Sequence, residues 1–179
     1  MVISKGPLAG LWLLTPDVYG DARGYFLEAH HAQKYSAQGL DMRFVQDNHS
    51  HSSKHVLRGL HYQFPNWQGK LVYVVQGEIF DVAVDIRRDS PTFGQWHGIT
   101  LSSDNHQQFY IPPGFAHGFC VLSETADVIY KCTDYYRPEQ EHTLAWNDPA
   151  LGIAWPVGAP LLSDKDARGK PLAEAVLPD

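Results

Sequence analysis

His61 lies between two cations, three positions after Arg58 and nine before Lys70, in the stretch VLRGLHYQ of residues 56–63. A histidine titrates near neutral pH, and one surrounded by apolar and aromatic neighbours is a candidate base in a pocket. Because an unpaired charge is costly to bury, a base flanked by two cations indicates a cavity for an anionic substrate. Taken singly, these residues also fit ordinary roles, as a hydrogen-bonded core histidine and as surface or ion-paired cations.

Short β-like runs separated by turn residues must position these groups. Residues 71–75 and 79–86 flank Gln76-Gly77-Glu78, a sequence typical of a hairpin connection. In the second run the apolar side chains share one face, while Asp81 and Asp85 lie on the other. Further strands are predicted over residues 98–101, 108–111, 118–122 and 127–132, one helix from about Glu28 to Gln38 with Gly39 as its stop, and a segment from Asn147 that wraps the barrel. This spacing indicates an all-β antiparallel sandwich or barrel.

The composition limits the class of protein. With 179 residues, 44% of them hydrophobic and 19% charged, the chain fits one globular domain spanning residues 1–179. A net charge of −6 argues against nucleic acid as a partner. The apolar run at residues 11–14 is too short for a signal peptide or a membrane span, so we expect a cytoplasmic protein with no membrane partner. Cys120 and Cys132 are expected to be free, partly buried thiols.

Residues 113–117, PGFAH, resemble the second motif of the cupin superfamily, which consists of double-stranded β-helix (jelly-roll) barrels. After this turn we expect His117 at the mouth of the barrel. The histidine of that motif is often a metal ligand, but HYQ at residues 61–63 lacks the second histidine and the acid of a metal-binding cupin. His49 and His51 could imitate such a pair, yet the Ser-rich residues 48–53 are predicted to be a loop. We therefore expect no metal.

Eight segments resemble the dTDP-4-dehydrorhamnose 3,5-epimerase family, metal-free cupins that act on a nucleotide-linked 4-keto sugar. They follow the family order over nearly the whole chain, at residues 20–24, 44–50, 56–63, 68–72, 80–85, 90–94, 111–119 and 162–166. The resemblance implies inversion of C3 and C5 of dTDP-4-dehydro-6-deoxy-D-glucose to give dTDP-4-dehydro-L-rhamnose, without a cofactor, for dTDP-rhamnose and lipopolysaccharide O-antigen biosynthesis. Tyr73 departs from the family, which often has a basic residue there, and is expected to alter the charge of the pocket.

The resemblance also implies a role for each site residue. His61 is the expected base next to the ketone, Asp166 fixes its tautomer, Tyr130 is the acid on the opposite face of the sugar, and Lys70 faces the C4 oxygen. Positions expected to contact the phosphates, sugar or base are Arg23, Phe26, Glu28, Gln46, Asn48, Arg58, His117, Tyr136, Glu141 and Lys165. The family usually forms homodimers that exchange an N-terminal strand, so Arg23 and Phe26 are candidates to complete the pocket of a partner.

Three other functions remain open at this point. One is an epimerase that inverts a single carbon, or a ketoisomerase, of another dTDP-deoxysugar pathway. The others are a cupin that only binds a sugar or nucleotide and a metal-dependent cupin. The combination of a base, its carboxylate, an opposing phenol and a lysine disfavours a protein that only binds.

Overall fold

The computed structural model describes residues 1–178, so the end of the predicted domain at residue 179 lies outside the described residues. The strands are β1 (Val2–Lys5), β2 (Trp12–Thr15), β3 (Val18–Asp21), β4 (Gly24–Leu27), β5 (Gln46–Ser53), β6 (Leu57–Gln63), β7 (Lys70–Gln76), β8 (Glu78–Asp85), β9 (Trp96–Ser102), β10 (Gln108–Ile111), β11 (Phe115–Val121), β12 (Thr125–Cys132) and β13 (Glu141–Thr143). The helices are α1 (Ala32–Ala37) and α2 (Asp164–Ala167), with 3₁₀ turns at Pro138–Gln140 and Leu172–Glu174. None of the helices within residues 1–178 is long and apolar enough to cross a bilayer.

Two antiparallel sheets form a jelly-roll barrel, which confirms the predicted all-β fold of cupin type. The larger sheet has the order β1-β2-β10-β7-β12-β5, and the smaller one β13-β6-β11-β8-β9. From β5 to β12, most consecutive strands belong to different sheets. The chain therefore passes back and forth between the two walls of the barrel. A separate two-stranded hairpin pairs β3 with β4 only.

Apolar side chains fill three layers. The cluster containing Val72, Ala83 and Phe119 lies between the sheets, while the outer face of the smaller sheet packs on the C-terminal segment through Leu151 and Ala175. A third cluster joins α1 to the outer face of the larger sheet. The segment after Asn147 therefore wraps the barrel as predicted.

The predicted hairpin at Gln76-Gly77-Glu78 is wrong. β7 and β8 do not pair, and Gly77 instead carries the chain from one sheet to the other with a φ of +80°. A Cβ at this position would lie 2.1 Å from the carbonyl oxygen of Thr125, so only glycine fits. A sharp turn between two apolar runs has the same sequence signature whether the strands pair or change sheets.

The predicted loop at residues 48–53 is also wrong, because these residues belong to strand β5. Its side chains alternate between partly buried and exposed positions, with Asn48 and Ser50 inward and His49 and His51 outward. The inner positions are polar because they line a cavity, so the apolar alternation that marks most strands is missing.

The predicted helix begins four residues later than expected, at Ala32. The carbonyl oxygen of Ala29 accepts hydrogen bonds from the side chains of Gln108 and Tyr35, at 2.7 and 3.2 Å, so the preceding segment is held in a non-helical path. Gly39 follows the last helical residues with a φ of +89°, in agreement with its predicted role as the stop.

Candidate active site

A cavity of about 340 Å³ opens between the two sheets. Its lining includes ten of the fourteen predicted site residues, together with Ser50, Gln68 and Phe119, which were not predicted. The ten are Gln46, Asn48, Arg58, His61, Lys70, His117, Tyr130, Tyr136, Glu141 and Lys165. Ser50 could have been found by extending the alternation of Gln46 and Asn48 by two residues, had the segment been recognised as a strand.

His61 and Asp166 form a partly buried pair, although they are separated by 105 positions in the chain. The distance from His61 Nε2 to Asp166 Oδ1 is 2.5 Å, and the second carboxylate oxygen accepts from the Ser163 hydroxyl at 2.9 Å. Ser163 caps the N-terminus of α2 and thereby holds the carboxylate in place. Because a carboxylate only accepts, Nε2 carries the proton and Nδ1 is left with the lone pair that a base needs.

Burial lowers the pKa of His61, and the hydrogen bond and charge of Asp166 oppose that effect. The pKa of Asp166 is itself lowered, since the contacts with His61 and Ser163 outweigh its desolvation. The imidazole is therefore neutral and able to accept a proton at neutral pH, with a fixed carboxylate ready to stabilise the imidazolium.

Two glycines bring the strands that carry the histidines into close contact. Gly59, two residues before His61, has a φ of +124°, and a Cβ there would lie 2.5 Å from the Cα of Gly118. The register of β6 and β11 shifts at this point, between His117 and Phe119. The close approach places His61 directly opposite His117 in the sheet.

Tyr130 lies on β12, in the sheet opposite to the strand of His61, and its side chain lines the same cavity. Burial raises the pKa of its phenol, so the hydroxyl keeps its proton at neutral pH. A base and a neutral proton donor thus occupy facing walls of one cavity.

Lys70, on β7, is the third ionisable group of the cavity. Burial lowers its pKa, while Cys132, Glu141 and Asp81 act in the opposite direction. The ion pairs among residues 1–178 include none to its ammonium group, which leaves it available to an oxygen of a ligand.

His117 is buried in the cavity wall, with only 7% of its side chain exposed, whereas the sequence predicted a position at the mouth. Its Nε2 lies 2.8 Å from Oδ2 of Asp81, a fully buried carboxylate. Asp81 was correctly predicted on the face of β8 opposite to Val82 and Val84, but its role was missed. That face is the barrel interior, where a carboxylate is found only if it has a partner.

Tyr136, Glu141 and Lys165 form a hydrogen-bonded group in the cavity wall. One oxygen of Glu141 accepts from the Tyr136 hydroxyl at 2.8 Å and from the Lys165 ammonium at 2.9 Å. Burial and this carboxylate raise the pKa of Tyr136 to about 12. Burial opposes the ionisation of Glu141, but its two partners prevail and lower its pKa.

Four predicted residues do not line this cavity: Asp166, which lies behind His61, and three residues that lie away from it. Arg23 has 90% of its side chain exposed and pairs with Asp21, Phe26 is 69% exposed, and Glu28 forms an ion pair with Lys34 at 2.8 Å. They lie on or next to the β3–β4 hairpin, which has no other strand beside it in residues 1–178.

The expected effect of Tyr73 on the pocket is wrong as well. Along β7, Lys70 and Val72 face the interior, whereas Leu71 packs in the outer cluster with α1. Tyr73 follows Leu71 by two positions and therefore lies on the outer face.

The residues 1–178 also contain no group of three His, Cys, Asp or Glu side chains arranged to bind a metal ion.

Known proteins share both this sequence and this architecture. The family model for dTDP-4-dehydrorhamnose 3,5-epimerase matches residues 5–174. A Neisseria gonorrhoeae protein of that name is 61% identical over 98% of this chain, which spans about half (54%) of the length of that relative. The Salmonella typhimurium protein of that name is 52% identical over 99% of this chain and 98% of its own. The crystal structure of dTDP-6-deoxy-D-glucose-3,5-epimerase from Legionella pneumophila, in complex with dTDP-4-keto-L-rhamnose, has a TM-score of 0.94 and 55% identity over 97% of this chain and 93% of its own. The chain belongs to the dTDP-4-dehydrorhamnose 3,5-epimerase family.

Proposed function

We propose that this chain inverts C3 and C5 of dTDP-4-dehydro-6-deoxy-D-glucose and forms dTDP-4-dehydro-L-rhamnose. The observation that carries the proposal is the position of His61, backed by Asp166, across one cavity from the phenol of Tyr130. Membership of the family and the sugar nucleotide bound to the Legionella relative support the same substrate class.

The reaction begins with removal of a proton from a carbon next to the ketone. Such a C–H bond is weakly acidic, so the step needs a positioned base and a group that stabilises the enolate. Nδ1 of His61 accepts the proton, and Asp166 stabilises the imidazolium that results. The ammonium of Lys70 faces the C4 oxygen, where the negative charge develops, and His117 lies on the same side of the cavity as His61.

Inversion requires a new proton on the opposite face of the planar enolate. Tyr130 delivers it from the other sheet, which leaves a phenolate and a protonated His61. Solvent then gives a proton to the phenolate and takes one from His61, so both groups are ready for the second carbon. The transfers at C3 and C5 use these two side chains and solvent, and they break no carbon–carbon or carbon–oxygen bond.

The nucleotide needs cations and polar side chains. Arg58 and Lys165 supply positive charge in the cavity wall for the diphosphate, and Gln46 and Asn48 supply amide groups on β5. Tyr136 offers a ring for stacking on a base or sugar.

A homodimer would account for the three residues that the cavity of one chain lacks. The β3–β4 hairpin exposes Tyr19, Tyr25 and Phe26 at 64%, 59% and 69%, and a hairpin of this kind is unstable when isolated in water. We propose that it packs against a second copy and carries Arg23 and Phe26, with Glu28 beside them, into the partner's pocket.

The test is hydrogen exchange from solvent. Purified protein and its 4-keto substrate in heavy water should yield product with deuterium at both C3 and C5, resolved by NMR. His61→Ala should abolish the incorporation, while His49→Ala, at an exposed outer position of β5, should leave it intact. Incorporation at neither carbon with the unmodified protein would refute the proposal, and incorporation at one carbon would indicate an epimerase for a single centre.

A further inference from the structure

Cys132 lies beside Lys70 in the barrel wall. The two residues are direct partners in the antiparallel pairing of β12 with β7, and Gln46 is the partner of Cys132 on its other side. Side chains of directly opposite residues on one face have Cβ atoms about 4.5–5.5 Å apart. Cys132 is 1% exposed, so its thiol is enclosed on the inner side of the sheet.

A chain of hydrogen bonds ends at this thiol. The backbone N–H of Tyr136 donates to Gln46 Oε1 at 2.9 Å, and Gln46 Nε2 donates to Asn48 Oδ1 at 3.0 Å. Asn48 Nδ2 then donates to Cys132 Sγ at 3.5 Å. The sulfur is therefore held in place by side chains of the same cavity wall that contains Lys70.

The charged and titratable groups around Lys70 come from five elements. They are Cys132 on β12, Glu141 on β13, Asp81 on β8, Lys165 on α2 and His61 on β6. Each carboxylate has a partner at one oxygen, since Glu141 Oε2 binds Lys165 and Asp81 Oδ2 binds His117, while Asp81 Oδ1 is buried without a partner. Cys132 is the only one of these groups that is a direct cross-strand partner of Lys70, whose partner on the other side is Ile111.

We propose that Cys132 is a positioning residue of the epimerase, whose sulfur faces the Lys70 ammonium and stabilises its charged form next to the C4 oxygen. A thiol sulfur is a weak, polarizable acceptor, which suits a buried cation that must stay free to bind a substrate oxygen. Burial raises the pKa of Cys132, so the group acts as a neutral thiol. This inference rests on the proposed function for its catalytic consequence, and on the geometry alone for its effect on Lys70.

The direct test is an NMR titration of the lysine side chains in the 179-residue protein, with the Lys70 resonance assigned by its loss in Lys70→Met. Cys132→Ala removes the acceptor, and Cys132→Val removes it while filling its volume. Either change should lower the titration midpoint of Lys70 by about half to one pH unit. Above the midpoint, this shift corresponds to a three- to tenfold smaller charged fraction of Lys70. The alkaline limb of kcat should move to lower pH by the same amount. Cys132→Ser retains an acceptor and should restore both values, with KM and dTDP affinity unchanged.

Cys120 provides the matched control, because it is a buried thiol on the outer face of the other sheet. Cys120→Ala should leave the Lys70 midpoint unchanged. An unchanged midpoint in both Cys132→Ala and Cys132→Val, or one that moves equally in Cys120→Ala, would overturn the inference. Absence of deuterium incorporation by the unmodified protein would refute the proposed function instead and would leave the titration result to stand by itself.

Discussion

Asp166→Asn is the substitution that tests the role of the His61–Asp166 pair most directly. It keeps the size of the side chain but removes the charge and allows an amide N–H to face the ring. The carboxylate lies 2.5 Å from His61 Nε2 and is 4% exposed, while the imidazole is 22% exposed, so this is a partly buried, charge-assisted hydrogen bond. Bonds to charged groups contribute about 1.5–3 kcal/mol, which corresponds to roughly 10- to 150-fold in rate.

The amide also favours the wrong tautomer, in which the proton moves to Nδ1 and the base is lost. Removal of the oriented carboxylate in a comparable triad costs about 10⁴ in kcat. We therefore expect kcat to fall by about 10²–10⁴, with KM little changed, because Asp166 is absent from the cavity lining.

The pH dependence of kcat/KM in Asp166→Asn is an independent test of the same pair. Burial lowers the pKa of His61 and Asp166 raises it, so loss of the carboxylate lowers the pKa further. The acid limb of kcat/KM should move to lower pH while the plateau falls.

The assay is deuterium incorporation at C3 and C5 as a function of pH, with melting temperature as a check of folding. Asp164→Asn, an exposed residue two positions earlier on α2, is the control and should behave as the unmodified protein. An acid limb that moves to higher pH, or a kcat within twofold of the unmodified value, would refute the assigned role of Asp166.

Three further substitutions address the acid, the strand contact and the fold. Tyr130→Phe should retain deuterium exchange at the starting configuration but lower the rate of inversion about 10²–10⁴-fold, and equal loss of both would argue against a proton donor. Gly59→Ala places a Cβ 2.5 Å from Gly118, so we expect about 1–3 kcal/mol less stability by urea unfolding together with loss of activity; a neutral effect would disprove the close contact. Asp85 is fully buried with a pKa lowered to about 2, since bonds from Arg87, Ser90 and Thr92 outweigh its desolvation. That shift corresponds to about 2–3 kcal/mol, present above pH ~4 and lost as the pH falls towards ~2, so Asp85→Asn should remove it and flatten this part of the stability profile.

Short apolar runs were a reliable guide to most of the barrel. Residues 71–75, 108–111 and 127–132 were predicted as strands and lie in strands, and the run predicted over residues 79–86 lies in β8 except for Ile86. The failure at residues 48–53 has a physical cause, because a strand with one face in a polar cavity and the other in solvent shows no apolar period. Likewise, Gly77 marks a sharp turn without revealing that the two strands enter different sheets.

The candidate site was predictable where resemblance assigned residues one by one, and less so where partners are distant in sequence. Asp166 was expected beside His61, whereas the carboxylate beside His117 was recognised only from the structure. Nothing in the alternation of β8 distinguishes an interior Asp81 from one facing solvent. Arg23 and Phe26 lie outside the cavity of one chain, and their predicted contacts with the substrate depend on the second copy that we propose.

The structure of the His61→Asn protein with its 4-keto sugar nucleotide bound would measure the arrangement on which the proposed inversion depends. The expected result places residue 61 against one face of the sugar ring and the Tyr130 hydroxyl against the other, each within about 3–3.5 Å of the carbons next to the ketone or their hydrogens. A sugar with both side chains on the same face, or with Tyr130 directed away from the ring, would contradict the two-sided proton transfer.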